Sequence, residues 1–218
     1  MGAFNPGPRQ LVLIKALLFT LALLPLARMV WLAASGSLVE PIQFITRATG
    51  DWVLYFLCIT LAITPLRRFT GWNWLIKLRR MAGMFAFFYA LLHFTTFLWF
   101  DHWFDVAAML RDVLKRPFIT VGFIAFVLLI PLALTSTNAM QRRLGGKRWL
   151  WLHRLVYLIA PLGILHFWWM KAAKSDFAEP IVFGAIVAAL LLLRVYWSVS
   201  KARAARAAGA PQGEKSLT

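Results

Sequence analysis

A chain of 218 residues that is 61% hydrophobic and only 15% charged has too few polar side chains to cover a soluble globule of its size. Its formal net charge of +16 invites a polyanion partner, but the cations lie between long apolar blocks, a pattern that membrane orientation explains and nucleic acid does not. A lone cysteine excludes an internal disulfide, a CxxC redox pair and iron–sulfur ligation.

The first apolar block, Leu11–Ala34, is long enough to cross the hydrocarbon layer, for which about 17–25 residues are needed. It exceeds a signal-peptide core, and Arg28 interrupts its far end. It therefore reads as an uncleaved first helix, although Ala33-Ala34-Ser35 resembles a processing site. Glu40 and Arg47 precede a second block, about Ala48–Leu66, which is weakened by Asp51 near its start. Cys58 inside it reads as a packing residue. The next segment carries Arg67, Arg68, Lys77, Arg79 and Arg80 with no acid. The third block is Met81–Phe100.

Asp101–Asp112 is amphipathic, with Trp103, Phe104, Ala107 and Leu110 on one side, and is expected to lie on the outer membrane surface. Around it Asp101, Asp105 and Asp112 offset Arg111, Lys115 and Arg116. The fourth block is Phe118–Leu134, followed by Arg142, Arg143, Lys147 and Arg148 without an acid. Gly145-Gly146 in that loop reads as a turn, since no phosphate-loop or Rossmann glycine pattern occurs. The fifth block is Trp149–Met170, with Lys171 and Lys174 facing Asp176 and Glu179 beyond it. The sixth is Pro180–Trp197. Residues 201–218, with Lys201, Arg203, Arg206 and Lys215 against Glu214, read as a disordered basic tail.

These blocks predict an all-α fold, a polytopic membrane bundle of six transmembrane helices formed by residues 1–200. The acid-free basic loops two and four, and both termini, are expected on the cytoplasmic side. Trp31, Trp99, Trp103, Trp168 and Trp169 then form an aromatic belt at the outer boundary.

Three of the four histidines, His93, His153 and His166, fall within spans, where ionisable groups are costly and mark function. His93 lies 13 residues beyond Arg80 on the third helix, and His166 lies 13 residues beyond His153 on the fifth, about 20 Å at the helical rise. Both helices run outward, so the two imidazoles reach the same depth. One heme iron could take both as axial ligands, which favours electron transfer over oxygen binding. Ala82, Ala86 and Ala90 share the His93 face within about 60° and leave room for a macrocycle or for close helix packing. Arg79 points along nearly that face from the cytoplasmic edge, where its planar fork suits a heme propionate or a flavin phosphate. Arg80 and Arg154 are weaker candidates. A rotation of about 220° separates His153 from His166 on an ideal helix, so the two share a cleft only if Pro161 and Gly163 distort the helix.

Arg79-Arg80-Met81-Ala82-Gly83 followed by His93, with Trp149-Leu150-Trp151-Leu152-His153-Arg154-Leu155-Val156-Tyr157 and then His166, resembles the ferric-reductase-like transmembrane domain. That superfamily includes NADPH oxidases and metalloreductases. The short chain without an appended dehydrogenase domain is similar to its bacterial heme-binding subunits of protein-methionine-sulfoxide reductases. The resemblance implies heme b ligated by His93 and His166, an associated FMN, a cytoplasmic flavin reductase or quinol as donor, and a periplasmic molybdenum-cofactor catalytic subunit of the MsrP type as acceptor. Two-heme relatives carry a second histidine where this chain has Arg79. The inner site near Arg79, Arg80, His153 and Arg154 is therefore open to FMN, or to a second heme with His153 as a metal ligand.

Two other functions compete. A self-sufficient ferric or cupric metalloreductase would gather metal-attracting residues outside, for which Asp101, His102 and Asp105 are a thin cluster. A histidine-relay transporter or proton channel would need carboxylates in its spans, and only Asp51 comes near.

Overall fold

Prolines set where several helices begin. In the computed structural model, which describes residues 4–172 and 175–209, Pro8, Pro41 and Pro117 each open a long helix, where the missing N–H has no partner to lose. The helices in chain order are α1 (Pro8–Ala34), α2 (Pro41–Thr70), α3 (Arg79–Thr96), α4 (Val106–Lys115), α5 (Pro117–Leu134), α6 (Asn138–Leu144), α7 (Gly146–His153), α8 (Val156–Ala172) and α9 (Ala178–Gly209). A 3₁₀ segment, Asn73–Leu78, leads into α3, and one wide π turn, Phe97–Asp101, ends it. Gly71 closes α2 at φ 73°, the left-handed cap that glycine adopts without steric cost. Among the described residues there is no strand.

Six helical segments are long and apolar enough to cross a membrane: Pro8–Ala34, Pro41–Thr70, Asn73–Asp101, Pro117–Leu134, Gly146–Ala172 and Ala178–Ala205. They match the six expected spans in number and place. Pro41–Thr70, Asn73–Asp101 and Ala178–Ala205 run about two turns past an expected bound, because hydropathy sees the hydrocarbon core and the helices continue into the headgroup layer. Asp51 does not weaken α2. The last helix continues to Gly209, so residues 201–209 extend α9 and differ from the disordered tail expected. Residues 210–218, the rest of that expected tail, lie outside the described residues, as does Lys174.

Packing is concentrated in two helix pairs. α2 lies along α3, and α5 lies along α8, while α9 leans on α2 and α8. Ala86 and Tyr89 of α3 are fully buried against these neighbours, since small residues let membrane helices approach. The Tyr89 hydroxyl donates to the Ala22 carbonyl at 2.7 Å, tethering α1 to the bundle. The outer faces show Val12, Leu13, Leu17 and Leu24 of α1 and Leu192 and Val195 of α9, side chains that suit acyl chains and not water. The five tryptophans of the expected belt are exposed or nearly so.

Proline inside a membrane helix leaves the carbonyl four residues earlier without its donor, and another helix must supply one. Pro65 frees Leu61 in this way, and Arg194 of α9 donates to that carbonyl. The fifth span is broken, though not where Pro161 suggests. α7 ends at His153, and Arg154 and Leu155 are held by tight i+3 bonds to Trp151 and Leu152 before α8 begins. α8 then runs through Pro161 without interruption.

The charges divide the bundle into two ends. One holds Arg67, Arg68, Arg79, Arg80, Arg142, Arg143, Lys147 and Arg148 and is the basic end. The other carries the acidic residues from Glu40 to Glu179 mixed with lysine and arginine.

Candidate functional site

In the half nearer the mixed end, His93 of α3 turns toward α2, and His166 of α8 turns toward α5. His93 Nδ1 lies 2.9 Å from the Thr46 carbonyl oxygen. His166 Nδ1 lies 2.7 Å from the Phe118 carbonyl oxygen. A carbonyl only accepts, so each Nδ1 carries the proton and donates it. In the neutral ring Nε2 then keeps its lone pair, the tautomer a metal-binding histidine requires.

The same two-residue device places both rings. A glycine stands four positions after each accepting carbonyl, Gly50 after Thr46 and Gly122 after Phe118. Helical side chains tilt toward the N-terminus, so residue i+4 shields the carbonyl of residue i. Glycine leaves that carbonyl open from the side. A Cβ at Gly50 would sit 3.2 Å from His93 Cε1, and one at Gly122 would sit 2.7 Å from His166 Nδ1. The first is tight and the second is a clash.

The two rings come together across a cleft, with centres 6.2 Å apart and planes at 74°. Imidazoles on opposite sides of one metal, each bonded at about 2 Å, have ring centres separated by about 6 Å. The cleft is broad and partly open to the surroundings, with about 1330 Å³ of unfilled space when that open part is counted. Phe94, Phe97, Phe123, Phe126 and Phe167 line its wall, and Arg47, Asp51, Asp101 and Arg116 contribute its polar groups. Of the three alanines expected to make room, only Ala90 lines the cleft. Ala86 is consumed in helix packing, and Ala82 packs beside Trp74 and Leu78 at the basic end.

The remaining sequence candidates lie elsewhere. His153 is outside the cleft, with its ring stacked on Trp149 at 3.9 Å and its Nδ1 donating to the Trp149 carbonyl at 3.0 Å. Its Nε2 is buried without a partner. Arg79 is half-buried at the basic end, within electrostatic reach of His153. Arg80 is engaged by Asn138 and Gln141 of α6, and Arg154 is exposed. At the mixed end Asp105 caps α4 by accepting from Ala108 N at 2.9 Å, and His102 faces Asp112 at 3.4 Å. Among the described residues no three His, Cys, Asp or Glu side chains gather as a metal site would require.

Sequence reasoning missed Thr46, Gly50, Phe118 and Gly122. Their signal is a glycine at the depth of each histidine on another span, which identifies nothing until the helix neighbours are known.

The model of the family described as ferric reductase like transmembrane component matches residues 13–164. The chain is 70% identical over 202 residues to the protein-methionine-sulfoxide reductase heme-binding subunit MsrQ of Herminiimonas arsenicoxydans, covering 92% of this chain and 93% of that protein. It is 56% identical over 203 residues to the MsrQ of Ralstonia nicotianae, covering 93% and 94%. With the MsrQ of Rhodospirillum rubrum it shares 47% identity over 193 residues, 87% of this chain and 90% of that protein. No solved structure matches.

Proposed function

The chain belongs to the ferric reductase like transmembrane family, and from that membership and its paired imidazoles we propose that it is the heme-binding membrane subunit of a protein-methionine-sulfoxide reductase. Its task is to carry electrons from the cytoplasmic side to a periplasmic molybdenum-cofactor catalytic subunit. The single observation that carries this reading is the His93–His166 pair, two imidazoles with ring centres 6.2 Å apart in a largely apolar cleft.

Heme b held by His93 and His166 would supply a one-electron relay. The chain's own residues do the rest. The Thr46 and Phe118 carbonyls fix ring orientation and raise ligand basicity through the Nδ1–H bonds. The phenylalanine wall keeps water from the iron position. Arg47 lines the cleft and would meet an acidic side group of the macrocycle, while Arg116 beside it is paired with Asp112 at 2.8 Å.

Donor and orientation follow from charge. Acid-free loops face the cytoplasm by the positive-inside bias, so the imidazole pair lies in the periplasmic half, near the acceptor. The donor is a cytoplasmic flavin reductase or a quinol, with FMN or a second heme at the basic end. Impermeant maleimide applied to intact spheroplasts checks the orientation. In a Cys58→Ser background it is expected to label Ser37→Cys and not Gly146→Cys. The reverse pattern overturns the topology.

His153 serves the cytoplasmic half in this account. His153→Ala is expected to keep the absorption of the His93–His166 heme and to slow its reduction by flavin reductase about tenfold or more, read by stopped-flow absorbance. Loss of that heme in His153→Ala would contradict the assignment.

A further inference from the structure

Apart from Glu179 in its first turn, α9 has only apolar and uncharged residues until Arg194. The Arg194 guanidinium is half-buried. One terminal nitrogen donates to the Tyr157 hydroxyl at 3.0 Å, and the other to the Leu61 carbonyl that Pro65 leaves free. Its Nε is buried with no partner. Thr64 Oγ1, three residues beyond Leu61, and His153 Nε2, one turn before Tyr157, are also buried and unpartnered. Arg79 lies within electrostatic reach of both Arg194 and His153.

Charge balance makes this cluster unusual. Every acidic residue among the described residues lies toward the mixed end, and all the ion pairs found there are also at that end. Two cations in the basic half, one of them well inside the bundle, thus have no anion from this stretch of chain. Serving the Leu61 carbonyl needs only a neutral donor, whereas a charge in a membrane interior is costly and kept for function. Buried polar atoms normally find partners, and here three on three different helices have none.

We infer that Arg194, together with Arg79, anchors the carboxylate or phosphate group of a second cofactor in the basic half of the bundle. The inference rests on the heme-subunit reading above and gives the cytoplasmic-side carrier its seat. A planar guanidinium fork suits a two-oxygen anion. A heme propionate, a flavin phosphate and a lipid phosphate share that chemistry.

The test measures heme, flavin and phosphorus per polypeptide in the purified full-length protein from heme- and riboflavin-replete cells. Wild type is compared with Arg194→Gln, Arg194→Lys and the double variant Pro65→Ala/Arg194→Gln. Pro65→Ala returns an N–H to the Leu61 carbonyl and so removes the structural demand on Arg194. One bound species is expected to fall about tenfold or more in the Gln variant and the double variant, with Arg194→Lys retaining more of it. The His93–His166 absorption persists. A fall in heme identifies a propionate, a fall in flavin identifies its phosphate, and a fall in phosphorus alone identifies a lipid and overturns the cofactor seat. A full wild-type complement of all three in the double variant overturns the inference and leaves Arg194 as a plug for a proline gap. A wild type without any heme overturns the heme-subunit reading instead.

Discussion

His93→Ala and His166→Ala are each expected to lower the heme held between the two rings by more than about a hundredfold, beyond the 10–100-fold typical of outer-shell ligand partners. The reduced-minus-oxidised spectrum of the purified protein reads this directly. Neither change should unfold the bundle. Alanine is the best helix former, and the Thr46 and Phe118 carbonyls remain available to their own helical partners at Gly50 and Gly122. The freed space matches the imidazole removed, so free imidazole added to either variant should restore part of the signal. An unchanged spectrum in both variants would remove the pair from the account.

The glycines give the second large effect. Gly122→Ala puts a methyl 2.7 Å from His166 Nδ1, whereas Gly50→Ala puts one 3.2 Å from His93 Cε1. Neither glycine has a positive φ, so the substitutions impose no backbone strain and act through the ring alone. Gly122→Ala must push His166 off the Phe118 carbonyl, which costs orientation and basicity together. We expect heme affinity to fall about 10–100-fold for Gly122→Ala and measurably less for Gly50→Ala, by hemin titration of the apoprotein. Equal retention by both variants would mean that the carbonyl–glycine device does not position the ligands.

Much of the fold was legible because membrane insertion constrains sequence more simply than water does. Six apolar blocks and alternating basic loops predict six spans whatever the packing. The depth of His93 and His166 was legible for the same reason, since a rise of 1.5 Å per residue converts chain distance into height. Lateral neighbours were not legible. Gly50 and Gly122 have meaning only once α2 lies beside α3 and α5 beside α8, and no local pattern states those pairings. Ala82 and Ala86 were read as room for a ligand or as close helix packing, and packing is the outcome, with Ala86 in the central core and Ala82 in the Trp74 cluster. Arg194 was hidden in an apolar block, and its tie to Pro65 spans most of the chain. Pro161 and Gly163 were the places where a distortion could have brought His153 and His166 into one cleft; α8 runs through both, the break falls at Arg154–Leu155, and His153 stays apart, because a proline marks only where a helix can be deformed.

The electron paramagnetic resonance spectrum of the oxidised protein tests the central claim most directly. A ferric heme held by both His93 and His166 would be low-spin, whereas one that had lost either imidazole would be high-spin. The account predicts the low-spin signal in the wild type and its loss in His93→Ala and His166→Ala. A high-spin signal in the wild type, or a low-spin signal that persists in both variants, would contradict it.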